Sequence, residues 1–413
     1  MTVRVSKSSF DIRAKLSELK RKFGAKGSEI AAAETLYEAR SALNSGRKNM
    51  IINGAMTINQ RYNTSSYTVP NATGGSYTLD RWAVNEATGG AVNVNMDGDP
   101  GGGNADLSPV QEFSRAMQLA CTNGDASIGS NENTHFFQNI EGYNIAHLKW
   151  GSRYASPVTL SFWVRSNVPG IYCVGLENGA TNRTCIKEYK IEPGFGWQKV
   201  ALTFPGCTDG TWEQDSDCGI RVRFCLSTGS DYDDGIDGTW VNSDELATSN
   251  QVNWMVDSNS RYFITGVQLE KGRTATEFEH RHYGEELALC QRYFIPFPSR
   301  SGGTLQWVVS YLSGTVRAVC QAPNSMRIVP TAIDSGTGTT TVQSGSVYSS
   351  NGTNVSSNTT EGNSPILSVN GSAECPVVQM VWTGASTPTG VGNDYQSASW
   401  NGASPGIFLD AEL

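Results

Sequence analysis

Charge is scarce in this 413-residue chain: 17% of residues are Asp, Glu, Lys or Arg, and the formal net charge is −8. A nucleic-acid surface needs clustered Lys and Arg that displace counterions, so no nucleic-acid partner is expected. Histidine is scarcer still, with four residues, His135, His147, His280 and His282. No HExxH, P-loop or hydrolase elbow occurs, so acid–base or nucleophilic catalysis has no local signature and the chain reads as a non-enzyme. The nine cysteines include no CxxC spacing, which leaves a zinc or redox site without support. They read mostly as buried free thiols of a protein made in a reducing cytoplasm, with a loop stapled through Cys207 and Cys218 as the alternative. No run approaches the roughly 20 apolar residues of a membrane span, and the N-terminus lacks a signal-peptide core. Neither membrane insertion nor export by its own signal is therefore expected. A repeat of about twenty residues or more is also missing, which removes a parallel β-helix.

What is abundant is glycine, 44 residues, together with polar Ser, Thr and Asn tracts between short apolar runs. That composition favours strands joined by turns. From residue 49 to 280 about ten strand-like runs recur: YTLDRWAV, GAVNVNM, EFSRAMQLAC, NTHFFQNI, VTLSFWVRS, GIYCVGL, EYKIEP, WQKVALTF, GIRVRFCL and RYFITGVQLE. Ten strands suffice for two facing sheets, a large jelly-roll β-sandwich. In Ser114–Cys121 the more apolar parity, Met117, Leu119 and Cys121, is expected to face inward. Trp82 and Trp163 lie within strand-like runs and read as core.

The ends differ. Residues 1–48 form a short helical segment in which Ile12, Leu16, Leu19 and Phe23 follow an a/d rhythm, a face for attachment or oligomerisation. A helical hairpin packed on its own β-domain is the alternative. Residues 281–295 change period around Glu285–Cys290 and read as a short helical linker. Residues 296–413 read as a smaller C-terminal β-sandwich, built from LQWVVSYL, TVRAVCQAP, SMRIVPTAI, TTTVQSGSVYS, PILSVNG, PVVQMVWT and GIFLDAEL. Within it, the tract from Ser335 to Asn363 reads either as an exposed hairpin or as an irregular loop. The fold class expected is thus mainly β.

Three segments carry a family resemblance: RYFITGVQLEKGRTATEFEHRHYGEELALCQRYF at Arg261–Phe294, VTLSFWVRS at Val158–Ser166, and NMIINGAMTINQRY at Asn49–Tyr62. Together they resemble the jelly-roll domain of phage tail-fibre and virion-appendage proteins, especially those of cyanophages and other marine phages. AAETLYEARSAL and the closing IFLDAEL are similar to the same proteins. The resemblance implies a virion structural protein made in the host cytoplasm and carried on the virion surface. It further implies a homotrimer, contacts with other virion proteins through residues 1–48, and adhesion to host surface polysaccharide. Two alternatives stand beside it: a head-decoration, collar or connector protein that binds no glycan, and a polysaccharide-degrading tailspike, whose paired carboxylates sequence spacing does not reveal. It also implies an opening strand, Asn53–Met56, lying near the closing strand of the sandwich.

Aromatic faces stack on sugar C–H surfaces, and residues in polar loops are the first candidates: Trp150, Tyr154, Trp212, Tyr232, Trp240 and Trp254. For each, packing under a loop is the alternative. Two acidic glycine-rich loops, carrying Asp97 and Asp99, and Asp231, Asp233, Asp234 and Asp237, read as solvated turns, with a structural calcium as the alternative. No other cofactor is expected. His280 and His282 read as a polar pair beside a turn, with a shared metal as the alternative.

Overall fold

The structure is a computed structural model that describes residues 47–62, 65–97 and 112–298. Beyond them it describes 304–305, 308–312, 315–321, 325–328, 330–334, 346–348, 354–357, 366–370, 377–383, 397–399 and 406–412. Ile12, Leu16, Leu19 and Phe23 lie outside the described residues. Asn49–Leu413 is one compact unit, separate from Met1–Lys48, and no described helix is long and apolar enough to cross a membrane.

The chain is mainly β, and two antiparallel sheets form a sandwich. One sheet orders β1 (Tyr67–Thr68), β4 (Ala91–Asp97), β5 (Ala116–Asn123), β13 (Arg261–Lys271), β7 (Val158–Ser166) and β10 (Gln198–Phe204). The other orders β12 (Trp240–Val241), β9 (Thr184–Ile191), β8 (Gly170–Asn178), β11 (Cys218–Thr228), β6 (Asn133–Glu141), β3 (Ala83–Ala87) and β2 (Ala72–Tyr77). Period-2 alternation decides what each strand buries. On β7 Val158, Leu160, Phe162 and Val164 are fully buried, as are Met117, Leu119 and Cys121 on β5, the parity expected from the sequence. Phe224 of β11 stacks flat on Phe136 of β6, centroids 4.7 Å apart, and meets Phe162 of the opposite sheet edge-on at 5.1 Å. Aromatic contacts of this kind add to the area they bury and tie one sheet to the other.

Two expectations are corrected. YTLDRWAV is not one strand: β2 ends at Tyr77 and β3 begins at Ala83, with a tight turn between them in which Trp82 N–H donates to Leu79 O at 2.9 Å. Arg81 takes φ 72° there, and Trp82 remains fully buried, its Nε1 donating to Asn53 O at 3.1 Å. Trp163 is not core. It lies between buried Phe162 and Val164, so its side chain leaves the sheet on the opposite face and is partly exposed.

The opening segment lies beside β13, as the resemblance implied, but Asn53–Met56 is a turn and not a strand, with Asn53 at φ 57° and Met56 at φ 56°. Met50 N donates to Leu269 O and Val267 N to Gly54 O, both at 2.9 Å. A register shift between Thr265 and Gln268 makes this possible, with Gly266 at φ 62° beneath the ring of Phe113. Such a bulge needs a residue free to adopt left-handed backbone.

α1 (Gly142–Ile145) follows β6, and α2 (Tyr283–Gln291) follows the sandwich, burying Glu286 and Cys290. β14 (Phe294–Pro298) then pairs with β24 (Gly406–Asp410), which also pairs with β18 (Thr331–Asp334). Two further four-stranded antiparallel sheets join β15 (Thr304–Leu305), β23 (Ser397–Ser399), β19 (Ser346–Tyr348) and β20 (Asn354–Ser357), and β16 (Val308–Leu312), β17 (Thr315–Gln321), β22 (Val377–Thr383) and β21 (Ile366–Asn370). The pairing of β19 with β20 places a hairpin inside the Ser335–Asn363 tract.

The segment after β24 docks on the jelly roll through charge. Glu412 receives Arg81 and Arg61, and Asp410 receives Arg61 at 3.2 Å. The Arg81 guanidinium also donates to Asn139 O and lies 3.4 Å from the Tyr293 ring centroid, while that of Arg61 lies 3.7 Å from that of Phe294. Arg327 adds bonds to Ala411 O at 2.8 Å and Glu412 O at 3.0 Å. Buried charges are tolerable when each finds an opposite charge or carbonyl in this way.

Glu177, on the outer face of β8, is a buried carboxylate of another kind. It meets Arg223 at 2.9 Å and Arg221 at 3.3 Å, yet burial outweighs both guanidinium groups and pushes its pKa up from 4.5 to about 7. The fold therefore binds a proton that the unfolded chain releases. That contribution to stability is complete below pH 4.5 and is lost as pH rises to about 7, by at most roughly 1.4 kcal/mol per pH unit. Urea midpoints across this window should fall with pH more steeply for the wild type than for Glu177→Gln; parallel profiles would refute the assignment.

Candidate functional site

The parity that buries one side of β7 and β13 sends an unusual set of side chains to the outer face of the six-stranded sheet. Cross-strand register aligns Asn95 of β4 with Gln118 of β5, Gln118 with Phe263 of β13, and Phe263 with Arg165 of β7. Directly opposed residues sit about 5 Å apart, so this row is continuous. A second row runs Thr265, Trp163 and Lys199, and a third runs Asn93, Ala120 and Arg261.

The aromatic half of the face is layered. Phe195 and Trp197, from the turn between β9 and β10, meet Phe263 edge-on at 5.9 and 6.4 Å. The Arg165 guanidinium lies within 4.2–5.2 Å of the centroids of all three rings. Phe263 is 5% exposed beneath this layer, whereas Phe195 at the turn tip is 39% exposed. Phe195 also holds φ 55° between two glycines, a conformation a bulky side chain rarely adopts. Lys199 Nζ lies 5.6 Å from the Trp163 ring centroid, the range of a cation–π contact.

The other half is polar. Asn93, Asn95 and Gln118 are partly exposed, and none of their amides has a hydrogen-bond partner among the described residues. Asn93 Oδ1 is itself shut off from solvent without one. Asn95 and Gln118, partly exposed and unengaged, form a surface ready for hydrogen bonds from outside. Rings that cover C–H faces next to amides that bond hydroxyls form a chemically coherent set.

The sequence-predicted candidates lie elsewhere and are not brought together in one open site. Trp150, Trp212 and Trp240 form a mutual edge-on trio with centroids 4.6, 5.3 and 5.4 Å apart. Each indole donates to a backbone carbonyl: Trp150 to Ser156 O, Trp212 to Asp209 O and Trp240 to Pro205 O. Trp150 and Trp212 are buried, while Trp240 keeps a partly exposed edge. Trp254 is fully buried and offers a ligand no face, because its short 3-10 turn inserts it into the core between the sheets. Tyr232 packs half-buried against the small cluster of Cys173, Ile186, Cys225, Leu246 and Ala247. Tyr154 is the most open of the six, 62% exposed with the Arg153 guanidinium over its ring.

The side chains of Asp97 and Asp99 lie outside the described residues. Asp231 accepts from Ser130, and Asp237 accepts from Glu188 N and pairs with Lys187 at 3.5 Å. Asp233 is half-buried, and Asp234 N donates to Glu245. His280 packs against Phe113 and Phe278 with Glu112 at 3.5 Å, and His282 stands at the N-cap position of α2, where its backbone carbonyl and not its ring accepts the helix N–H groups. Among the described residues no cluster of three or more His, Cys, Asp or Glu is placed to hold a metal. The seven cysteines whose side chains are described are free; Cys207 donates to Asp209 O and Cys218 to Asn139 Oδ1, so the two are not joined.

The sequence matches no protein-family model and no curated protein. Among solved structures it is similar to the enzymatically active domain of tailspike protein 4 of bacteriophage CBA120, at 12% identity and TM-score 0.29, over 54% of this chain and 21% of that one. It is similar to TmCBM61, solved in complex with β-1,4-galactotriose, at 10% identity and TM-score 0.27, over 55% of this chain and 100% of that one. A third similar structure is the family 11 carbohydrate-binding module from Clostridium thermocellum, in complex with a β-1,3-1,4-mixed-linked tetrasaccharide. There the identity is 10% and the TM-score 0.26, over 52% of this chain and 99% of that one. Likenesses of this size transfer no residue role, and the architecture rests on the strand pairings of this chain.

Proposed function

We propose that this chain is a non-catalytic glycan-binding protein of a phage virion surface, and that the outer face of the six-stranded sheet is where it holds polysaccharide. The observation that carries the reading is the juxtaposition of unengaged Asn93, Asn95 and Gln118 with the Phe195, Trp197 and Trp163 rings. The phage setting, and adhesion to a host surface by a tail fibre or appendage, come from the resemblance of the quoted segments. So does a homotrimer attached to other virion proteins through residues 1–48. Repeated weak contacts across several chains would supply avidity without any single tight site.

Trp163→Ala and Gln118→Ala are expected to weaken binding to a surface polysaccharide by about tenfold or more each, because stacking and hydroxyl bonding act together. Affinity electrophoresis of the full chain reads this. Both side chains leave the core, so the unfolding midpoints should stay close to wild type. Binding that survives both changes would remove the reading.

One observation favours a second reading, a collar, connector or decoration protein without glycan binding. Phe263 and Arg165 are already covered by their own neighbours, as in a surface that meets another protein. Labelling Trp163 within the assembled particle separates the two: protection there would favour a virion partner, and accessibility would favour glycan.

A further inference from the structure

We infer that the ligand of this face is an anionic polysaccharide, one bearing carboxylate, sulfate or phosphate groups along its chain; this rests on the glycan reading above. The motive is an imbalance of charge. The chain carries −8 overall, yet Arg261, Arg165 and Lys199 all project from the one face. Lys199 is exposed and has no ion pair among the described residues. The lysines of the neighbouring β9 differ: Lys187 meets Asp237 at 3.5 Å and Lys190 meets Glu192 at 3.0 Å. Arg261 spends Nη1 on three backbone carbonyls, Cys121 O at 3.0 Å, Ser258 O at 3.1 Å and Ser260 O at 2.8 Å, and on no carboxylate. Glu270, the acid that β13 itself brings to this face, is occupied by Thr276 at 2.8 Å and Gln268 at 2.9 Å.

A neutral glycan would be served by rings and amides alone. Lys199 and Arg261, which flank those groups without acidic partners among the described residues, add a preference for negative charge, and they do so where a bound chain would exclude some of the water that screens them. Strand geometry sets Lys199 and Arg261 about 16 Å apart, two strands across and four residues along. That separation suits charges borne on different sugar units of an extended polymer. A sugar ring lying on Trp163 would bring its substituent to the ammonium of Lys199.

Affinity electrophoresis of the full chain with polygalacturonate, dextran sulfate and a glycerol-phosphate teichoic acid tests this and separates the three sources of charge. Carboxyl-reduced polygalacturonate and dextran serve as neutral counterparts. At least one anionic polymer is expected to bind about tenfold tighter than the neutral ones, with affinity falling as salt rises. Lys199→Gln and Arg261→Gln should each erase about threefold to tenfold of that preference, and Lys199→Glu, at an exposed position, should reverse it even where the Arg261 variant folds poorly. Trp163→Ala should weaken every polymer alike. Equal affinity for charged and neutral polymers, or charge variants without effect while Trp163→Ala abolishes binding, would overturn the anionic ligand and leave the glycan reading standing. Failure to bind any of these polymers would overturn the anionic ligand, and Trp163→Ala without effect on a polymer that does bind would overturn the glycan reading with it.

Discussion

Phe224→Ala will destabilise the jelly roll by about 3–5 kcal/mol, the usual cost of emptying a buried phenylalanine site. Phe224 is fully buried and touches both sheets: Phe136 stacks on it at 4.7 Å, Trp82 lies at 6.3 Å, and Phe162 meets it from across the sandwich at 5.1 Å. Phe136 and Phe162 are held by their strands and Trp82 by the tight turn before β3, so the cavity has little means to collapse. Phe224→Leu keeps most of the volume and should cost about 1.5 kcal/mol or less. Urea midpoints followed by tryptophan fluorescence measure both. A loss under about 1 kcal/mol for the alanine variant would mean that the sheets are not tied at this point.

Arg81→Ala is expected to cost a similar 3–5 kcal/mol, by a different route. Its guanidinium is 1% exposed and satisfies Glu412, Asn139 O and the face of Tyr293 together. Removing it strands a carboxylate that burial already pushes toward its neutral form, with Arg61 as the remaining counter-charge. Arg81→Ala combined with Glu412→Gln should therefore recover part of the loss, since the stranded charge goes with the second change. Hydrogen exchange offers an independent reading: amides of β24 and β14 should lose protection before those of β7 and β11. Uniform loss throughout would show that Arg81 supports the whole sandwich and not the docking of β24.

Much of the fold was legible because period-2 patterning is strong where one face of a strand is buried. VTLSFWVRS and RYFITGVQLE announce β7 and β13, and Met117, Leu119 and Cys121 fall inward as their polarity requires. The short strands β1 and β12 carry no such pattern. YTLDRWAV misleads because the apolar Leu79 and Trp82 of a turn enter the core as fully as strand residues do. The candidate site was harder to see, although the signal was present. Once Phe162 and Val164 are inward, Trp163 and Arg165 must point out, and the same parity sets Phe263 against Tyr262 and Ile264. Choosing tryptophans because they sat in polar loops overlooked that a loop can fold over its own aromatics, as Trp150, Trp212 and Trp240 do. The pairing of Asn95 with Gln118 and of Gln118 with Phe263 depends on register between strands distant in sequence, which one strand's pattern does not contain.

The docking of Glu412 on Arg81 and Arg61 joins groups 331 and 351 residues apart along the chain. During synthesis the jelly roll therefore leaves the ribosome with two buried-to-be arginines still without the Glu412 carboxylate, which is translated hundreds of codons later. Contacts of such sequence separation slow folding and lengthen the exposure of unfinished surfaces. Completion of this unit is thus paced by arrival of the distal strand.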